Sequence, residues 1–187
     1  MKINSETNIL IVGLGIIGGS YAKGLTKKGL KIRAIDTDKE TIEYALENNI
    51  ICEGSCEADP ELIGRADIVI FALYPHIFKE WIRDNQQYFK SGTIITDVTG
   101  VKGCVVYDIQ NMLREDCEYI AAHPMAGCER LGIQNSNEKI FHAANYIVVP
   151  TEKNTEEAKD VCRQIGKLLR FARISELPPN DHDEMIG

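Results

Sequence analysis

Three glycines spaced as G-x-G-x-x-G follow the first apolar run of the chain and begin the first predicted helix. The run covers residues 8–12. In such a strand–turn–helix context Gly13 permits the tight turn, Gly15 lets a pyrophosphate approach the backbone, and Gly18 lets the helix pack close to the sheet. The helix N-terminus then offers free N–H groups to the phosphates. The residues predicted to bind a dinucleotide here are Gly13, Leu14, Gly15, Ile16, Ile17 and Gly18.

An acidic residue, Asp36, stands at the end of the second predicted strand. A carboxylate there would accept hydrogen bonds from the adenosine ribose hydroxyls and would repel a 2′-phosphate. We therefore expect Asp36 and the adjacent Thr37 to contact NAD, and we expect NAD rather than NADP. Two structural alternatives stay open: the glycines would serve only turns and packing, and Asp36 would serve only as a helix cap.

Other strand ends are expected beside this turn, because open α/β sheets bind ligands at the carboxyl ends of their strands. His123 follows a predicted strand. Histidine has an ordinary pKa near neutrality, so His123 could exchange a proton while a hydride leaves for the nicotinamide. A structural histidine stays the alternative. The further candidates for the cofactor site follow two other strands and are Ala72, Leu73, Tyr74, Pro75, Asp97 and Thr99.

Short apolar runs alternate with segments of helical periodicity along most of the chain. Strands are predicted at residues 8–12, 31–35, 67–71, 93–96, 118–122, 146–149 and 171–174. Helices are predicted within residues 13–28, 38–48, 77–89, 102–113 and 155–169. After a proline pair, Asp181 could cap the beginning of one more helix. The alternation predicts an α/β fold of Rossmann type: a doubly wound, mainly parallel sheet with helices on both faces.

Composition narrows the class of protein. The chain has 187 residues, of which 44% are hydrophobic and 26% are charged, as in ordinary globular domains. Its formal net charge is −7 and no basic stripe stands out, which argues against nucleic acid as a partner. We see no apolar run long enough for a membrane helix and no signal peptide, so we expect no membrane partner and a cytoplasmic location. The six cysteines form no CxxC pair, so free thiols and no metal site are expected.

Three segments together resemble the prephenate/arogenate dehydrogenase family of tyrosine biosynthesis. They are the glycine turn at residues 13–20, the sequence DVTGVKG at residues 97–103 and the sequence HPMAGCE at residues 123–129. Residues 145–150 and the pair at residues 182–183 also resemble family positions, so the similarity covers nearly the whole chain. The HPMAG element and its order relative to the other motifs are more specific than the glycine turn.

The resemblance implies an NAD-dependent oxidative decarboxylation, in which hydride goes to the nicotinamide, carbon dioxide leaves and the substrate ring becomes aromatic. The substrate would be a small dicarboxylate, prephenate or arogenate, and the product 4-hydroxyphenylpyruvate or tyrosine. His123 would be the catalytic residue that polarises or deprotonates the substrate hydroxyl. The residues expected near the substrate are Thr99, Gly127, Cys128 and Glu129.

Two features depart from the family pattern. Many members carry a serine where this chain has Gly100, which has no hydroxyl to support the histidine or the substrate. Members also continue into a helical domain that supplies dimer contacts and cations for the substrate carboxylates. We therefore expect an NAD-binding domain at residues 1–176 and a linker and truncated helical domain at residues 177–187. We also expect a homodimer for the full-length protein and an inactive chain when this portion is alone.

Other functions stay open at the level of sequence. One is an arogenate dehydrogenase, and another is a different β-hydroxyacid-type dehydrogenase that shares the glycine turn. A third is a non-catalytic module that senses dinucleotides. Such a module would need no histidine at the nicotinamide end.

Overall fold

A six-stranded parallel sheet forms the centre of the protein. The computed structural model describes residues 1–127 and 129–186. The strands of this sheet are β1 (Asn8–Val12), β2 (Lys31–Ile35), β3 (Glu53–Ser55), β4 (Ile68–Phe71), β5 (Ile94–Asp97) and β6 (Glu118–Tyr119). Their order is β3-β2-β1-β4-β5-β6, and each neighbouring pair is parallel. The chain therefore winds outward in both directions from β1, which brings the ends of β1 and β4 together at the glycine turn.

Helices cover this sheet on its two faces, which confirms the predicted doubly wound architecture. The helices that cover it are α1 (Ile16–Lys27), α2 (Lys39–Glu47), α3 (Pro60–Gly64), α4 (Pro75–Asn85), α5 (Val106–Met112) and α6 (Glu156–Leu168). A further helix, α7 (Pro179–Ile186), ends the described part of the chain. Side chains alternate along β1: Ile9 and Ile11 join a core with α1, α2 and α6, whereas Leu10 and Val12 join a second core with α3, α4 and α5. No helix in the described part of the chain is long and apolar enough to cross a membrane.

A second, three-stranded sheet continues the chain beyond β6. It consists of β7 (Ala121–Pro124), β8 (Asn145–Val149) and β9 (Arg173–Glu176). Strand β8 pairs antiparallel with β7 and parallel with β9. The prediction of one strand over residues 118–122 is therefore wrong, because the segment belongs to two sheets. The Ile120 N–H still bonds to the Ile95 carbonyl at 2.9 Å, but the Ala122 N–H bonds to the side chain of Asp97 at 3.2 Å.

Other element boundaries also differ from the predictions. The helix predicted at residues 77–89 is α4, which begins at Pro75 and ends at Asn85, and three further differences have a local cause. The predicted strand at residues 171–174 begins two residues later, because Arg170 adopts a left-handed conformation and Phe171 N–H bonds back to Gly166 in the turn after α6. The helix predicted from residue 102 begins at Val106, since residues 102–105 form a turn. Helix α7 begins at Pro179, so Asp181 lies in its first turn and does not cap it. The elements β3 and α3 were not predicted.

A buried ion pair stands where the chain leaves the first sheet for the second. Asp97 and Lys102 have fully buried side chains, and the Lys102 Nζ lies 2.8 Å from each carboxylate oxygen of Asp97. The carboxylate also accepts the Thr99 N–H at 3.2 Å, the Thr99 hydroxyl and the Ala122 N–H. Burial lowers the pKa of Lys102, while the Asp97 carboxylate acts to raise it. A side-chain oxygen of Asp97, and not a backbone carbonyl of β5, thus accepts the Ala122 N–H where the chain passes to the second sheet.

We expect Lys102→Met to lower the free energy of unfolding by about 3–5 kcal/mol, because it leaves the Asp97 carboxylate buried without its counter-charge. Chemical denaturation measures this loss. The matched control is Lys79→Met, which breaks a pair of the same length with Asp108 at the surface. That control should cost no more than about 1 kcal/mol. Equal losses of unfolding free energy in the two variants would contradict the expectation that the buried pair costs more to break than the surface pair.

Candidate functional site

The glycine turn has the geometry that anion binding requires. Gly13 has a φ of +98°, and a Cβ there would lie 2.4 Å from the Ala72 carbonyl oxygen. A Cβ on Gly18 would lie 1.8 Å from the Gly13 carbonyl oxygen, so α1 can approach β1 only without a side chain at that position. A Cβ on Gly15 would meet nothing within 4 Å. The glycine turn is therefore tightly packed at Gly13 and Gly18 and accessible to a ligand at Gly15.

The beginning of α1 supplies the donors. Gly15 is its N-cap residue, and no side chain within residues 1–127 and 129–186 caps this end with a hydrogen bond. The first N–H groups of an uncapped helix point outward with the positive end of the helix dipole. A phosphate that approaches over Gly15 would meet these groups, which is how a chain with a net charge of −7 can hold an anion.

A cleft of about 510 Å³ opens beside this turn at the carboxyl ends of the strands. Most residues of the predicted site contribute to its wall: Gly13, Gly15, Ile16, Ile17, Gly18, Asp36, Ala72, Leu73, Tyr74, Pro75, Thr99 and Gly127. Further lining residues, which were not among the residues predicted to bind cofactor or substrate, include Val98, Gly100, Ala126 and Leu131. The fold therefore brings together five segments that are separate in sequence.

Asp36 lies on the edge of this cleft and braces the glycine turn. Its Oδ2 accepts the Leu14 N–H at 2.7 Å, and its Oδ1 accepts the Asp38 N–H at 2.9 Å. A carboxylate has about four acceptor positions, so oxygen lone pairs remain for a further donor. The Leu14 side chain is buried and Thr37 is exposed, and neither lines the cleft. The helix-capping role belongs to Asp38, whose side chain accepts the Glu40 N–H.

Asp97 lies beneath the cleft and does not line it. Its side chain has no exposed surface and accepts hydrogen bonds from Lys102, Thr99 and Ala122. Thr99 does line the cleft, and its hydroxyl contacts Lys102 Nζ at 3.0 Å as well as Asp97. The geometry favours a supporting role for Asp97, which holds Thr99 in place, over direct contact with a cofactor.

His123 lies on β7, half-buried next to Gly100. A Cβ on Gly100 would lie 3.4 Å from His123 Nε2, so this nitrogen faces the segment that lines the cleft. Burial, the positive charge of Lys102 and the neighbouring His182 together lower the pKa of His123 to about 4. His123 is therefore neutral at pH 7, with a ring nitrogen that can accept a proton.

The other ring nitrogen of His123 contacts a histidine that sequence reasoning left uninterpreted. Nδ1 of His123 lies 2.8 Å from Nε2 of His182, and Nδ1 of His182 lies 2.9 Å from Oδ1 of Asp183. His182 has no exposed side-chain surface. The signal in the sequence was the His-Asp pair after two prolines, but only the fold places it against β7.

Three further residues, Gly127, Cys128 and Glu129, were predicted to lie near the substrate. Gly127 lines the cleft, and Glu129 is exposed. Cys128 lies outside the described residues. Their expected contact with a substrate stays a prediction.

A parallel sheet of this order, with an open glycine turn and an acidic residue at its carboxyl edge, defines a dinucleotide-binding domain of the Rossmann class. Residues 21–170 match the family model of the prephenate dehydrogenase, nucleotide-binding domain. The chain belongs to this family.

Relatives of known function and solved structures agree with this assignment. Prephenate dehydrogenase of Lactococcus lactis subsp. cremoris is 29% identical over 96% of this chain and 49% of that protein. The Bacillus subtilis enzyme is also 29% identical, over 95% of this chain and 48% of that protein. Prephenate dehydrogenase from Aquifex aeolicus, in complex with hydroxyphenyl propionate and NAD+, is 28% identical with a TM-score of 0.88, over 99% of this chain and 64% of that one. Synechocystis arogenate dehydrogenase is 27% identical with a TM-score of 0.88, over 96% and 63%. The chain spans about half the length of the two sequence relatives.

We expect His123 to titrate with a midpoint near pH 4. Its ring resonances, followed by NMR from pH 8 to pH 3.5, measure this directly. The unfolded chain has a histidine pKa of about 6.5. It therefore binds this proton more readily than the folded chain, and the contribution of His123 to stability falls as the pH drops from about 6.5 to 4. A midpoint near 6.5 would contradict the burial and charge described here.

Proposed function

We propose that this chain is the NAD-binding part of a prephenate dehydrogenase that catalyses the oxidative decarboxylation of prephenate to 4-hydroxyphenylpyruvate in tyrosine biosynthesis. The observation that carries the proposal is His123, a neutral imidazole whose Nε2 faces the wall of a cleft that begins at an open glycine turn. Membership of the prephenate dehydrogenase family supports the choice of reaction. A module that only senses dinucleotides would have no use for a base at this end of the cleft.

The residues present fit NAD. The beginning of α1 and the open face of Gly15 would hold the pyrophosphate, and Asp36 would accept hydrogen bonds from the adenosine ribose. The nicotinamide end would lie toward residues 98–100 and His123. NAD, when bound, accepts the hydride. The Aquifex aeolicus relative, whose structure contains NAD+, supports this choice of cofactor.

His123 would act as the general base of the reaction. Its Nε2 would take the proton of the ring hydroxyl while the hydrogen on the same carbon leaves as hydride. Loss of the ring carboxylate as carbon dioxide would then leave the electron pair of the broken C–C bond in the ring, which becomes an aromatic phenolate. The phenolate oxygen would take the proton back from His123, so the two electrons of the broken C–H bond go to the cofactor and the base is regenerated. Thr99, held by Asp97 and Lys102, would form part of the wall between cofactor and substrate.

The second candidate is an arogenate dehydrogenase. The Synechocystis arogenate dehydrogenase matches the fold of this chain as well as the prephenate enzyme does. The two substrates differ in the side chain that carries a keto group or an amine. Assays with prephenate and with arogenate, run side by side on the whole protein, separate the candidates.

The whole protein would have to supply more than this cleft. Among the described residues that line it, none is a lysine or an arginine, whereas the proposed substrate carries two carboxylates. We propose that its cationic partners come from outside the cleft wall described here. The domain division at residue 176, homodimer formation and a cytoplasmic location stay predictions.

We expect the chain to bind NAD at least about tenfold more tightly than NADP, because a 2′-phosphate beside Asp36 costs more than about 1.4 kcal/mol. Asp36→Asn removes the charge and should narrow this gap. Titration calorimetry with the two dinucleotides measures it. Asp38→Asn is the control, since Asp38 is a neighbouring acid that does not line the cleft. Equal affinities of the unaltered chain for NAD and NADP would remove Asp36 as the discriminating residue.

In the whole protein, we expect His123→Asn to lower turnover with prephenate by about 10²- to 10⁴-fold, the usual contribution of a general base. NAD affinity should change by less than about threefold, because His123 lies away from the phosphate and ribose positions. NADH formation and calorimetry measure the two quantities. His142→Asn is the control variant, because His142 follows the short 3₁₀ helix at Glu138–Phe141 and does not line the cleft. The 187-residue chain alone is a companion sample from which we expect negligible NADH. Unchanged turnover in His123→Asn would rule out this role.

A further inference from the structure

Helix α7 carries two side chains, His182 and Asp183, that lie in line with His123. His182 contacts Nδ1 of His123, the ring nitrogen that does not face Gly100. His182 is fully buried, and its ring lies between His123 and Asp183. Asp183 is anchored in turn: its Oδ1 accepts the Lys102 N–H at 2.9 Å, and its Oδ2 accepts the Gly103 N–H at 2.7 Å. The three side chains form a continuous row of hydrogen bonds that ends on two backbone N–H groups.

Glycine at position 103 is part of this arrangement. A Cβ on Gly103 would lie 2.7 Å from Oδ2 of Asp183, which is closer than carbon and oxygen atoms tolerate. The absence of a side chain there lets the Asp183 carboxylate reach the Gly103 N–H. Burial acts to raise the pKa of Asp183, but donation from the Lys102 N–H, His182 and the Gly103 N–H outweighs it and lowers the pKa below its usual range. Asp183 is thus a carboxylate at neutral pH.

A carboxylate at one end of the row determines where the protons lie along it. Asp183 can only accept, so Nδ1 of His182 must carry the hydrogen of their contact. In a neutral imidazole the second nitrogen then has only a lone pair, so Nε2 of His182 must accept. The hydrogen between the two rings therefore belongs to Nδ1 of His123. The lone pair of His123 is left on Nε2, the nitrogen that faces Gly100.

We propose that His182 and Asp183 are positioning residues that fix His123 in its Nδ1–H tautomer and so present a basic Nε2 to the cleft. The catalytic value of this tautomer rests on the function proposed above, whereas the tautomer itself does not. Within the part of the chain that the structure describes, His182 is the side chain that hydrogen-bonds to His123, and Gly100 offers no side-chain group on the other side. Orientation of the catalytic ring therefore depends on α7.

The tautomer can be measured in the chain itself by long-range ¹H–¹⁵N NMR of the imidazole rings. At pH 8, where imidazoles are neutral, we expect His123 to show a protonated Nδ1 and an unprotonated Nε2. His182 should show the same pattern. An unprotonated Nδ1 on His123 at this pH would overturn the proposal without any variant.

Two substitutions at position 182 separate a positioning role from a merely structural one. His182→Phe keeps an aromatic ring but removes the acceptor, so His123 should lose its uniform Nδ1–H form. His182→Gln restores a side-chain oxygen that can accept the Nδ1–H, so it should restore the tautomer. His142→Phe is the control and should leave the His123 spectrum unchanged. An unchanged His123 tautomer in His182→Phe would overturn the proposal. Should His182→Phe fail to fold, the wild-type and His182→Gln spectra decide the question.

The consequence for the reaction is tested in the whole protein. We expect His182→Phe to lower kcat with prephenate by at least about tenfold, with a smaller loss in His182→Gln and no change in the KM for NAD. If the tautomer is as expected but the unaltered whole protein does not oxidise prephenate or arogenate, the proposed function fails and the positioning role stands. If it does oxidise one of them and His182→Phe retains full kcat with an altered tautomer, the role of the row in the reaction is overturned.

Discussion

The ion pair between Asp97 and Lys102 lies at the end of β5, where the chain passes from the first sheet to the second, and it holds the segments that form the cleft. Two charges with fully buried side chains lose their hydration, and in a protein interior this cost can exceed their mutual attraction. The pair is therefore weak evidence of net stability, and its significance lies in geometry. Asp97 accepts from a lysine, from a threonine hydroxyl and from two backbone N–H groups, and each donor comes from a segment that forms or supports the cleft. A buried acceptor with so many donors permits few alternative arrangements of those segments.

Each segment held by Asp97 leads to a different part of the site. Thr99 lines the cleft, and the Ala122 N–H is next to His123 on β7. Lys102 places its own N–H and that of Gly103 where Asp183 can accept them. The same lysine therefore supplies the counter-charge below the cleft, the anchor for α7 and part of the field that lowers the pKa of His123. The surroundings of His123 and the junction between the two sheets therefore cannot be altered independently.

Local patterns predicted the parts of the fold that local physics determines. Strands β1 and β2 have the predicted bounds because short β-branched runs between glycine or acidic residues have no competing interpretation. The roles of Gly13, Gly15 and Gly18 follow from one turn, and the structure gives each glycine the expected surroundings. The division at Ile120 could not be predicted, because it depends on the Asp97 side chain, which is distant in sequence. His182 was missed for the same reason, since its contact with His123 forms only when α7 packs against β7.

The low pKa of His123 has a consequence for the proposed reaction. A base with a pKa of about 4 is fully available at neutral pH, but its affinity for the proton is weak. The proposed substrate carries two carboxylates, and a carboxylate about 6 Å from the imidazole interacts with its protonated form by about 3 kcal/mol at an effective dielectric constant of about 20. That energy corresponds to about two pKa units. A substrate carboxylate that lies nearer to His123 than its own cationic partner does would thus raise the pKa of His123, while the free protein keeps the ring neutral and oriented by His182. The negative charge of the substrate carboxylate would then have two effects. It would take part in binding, and it would raise the pKa of the base that removes the hydroxyl proton.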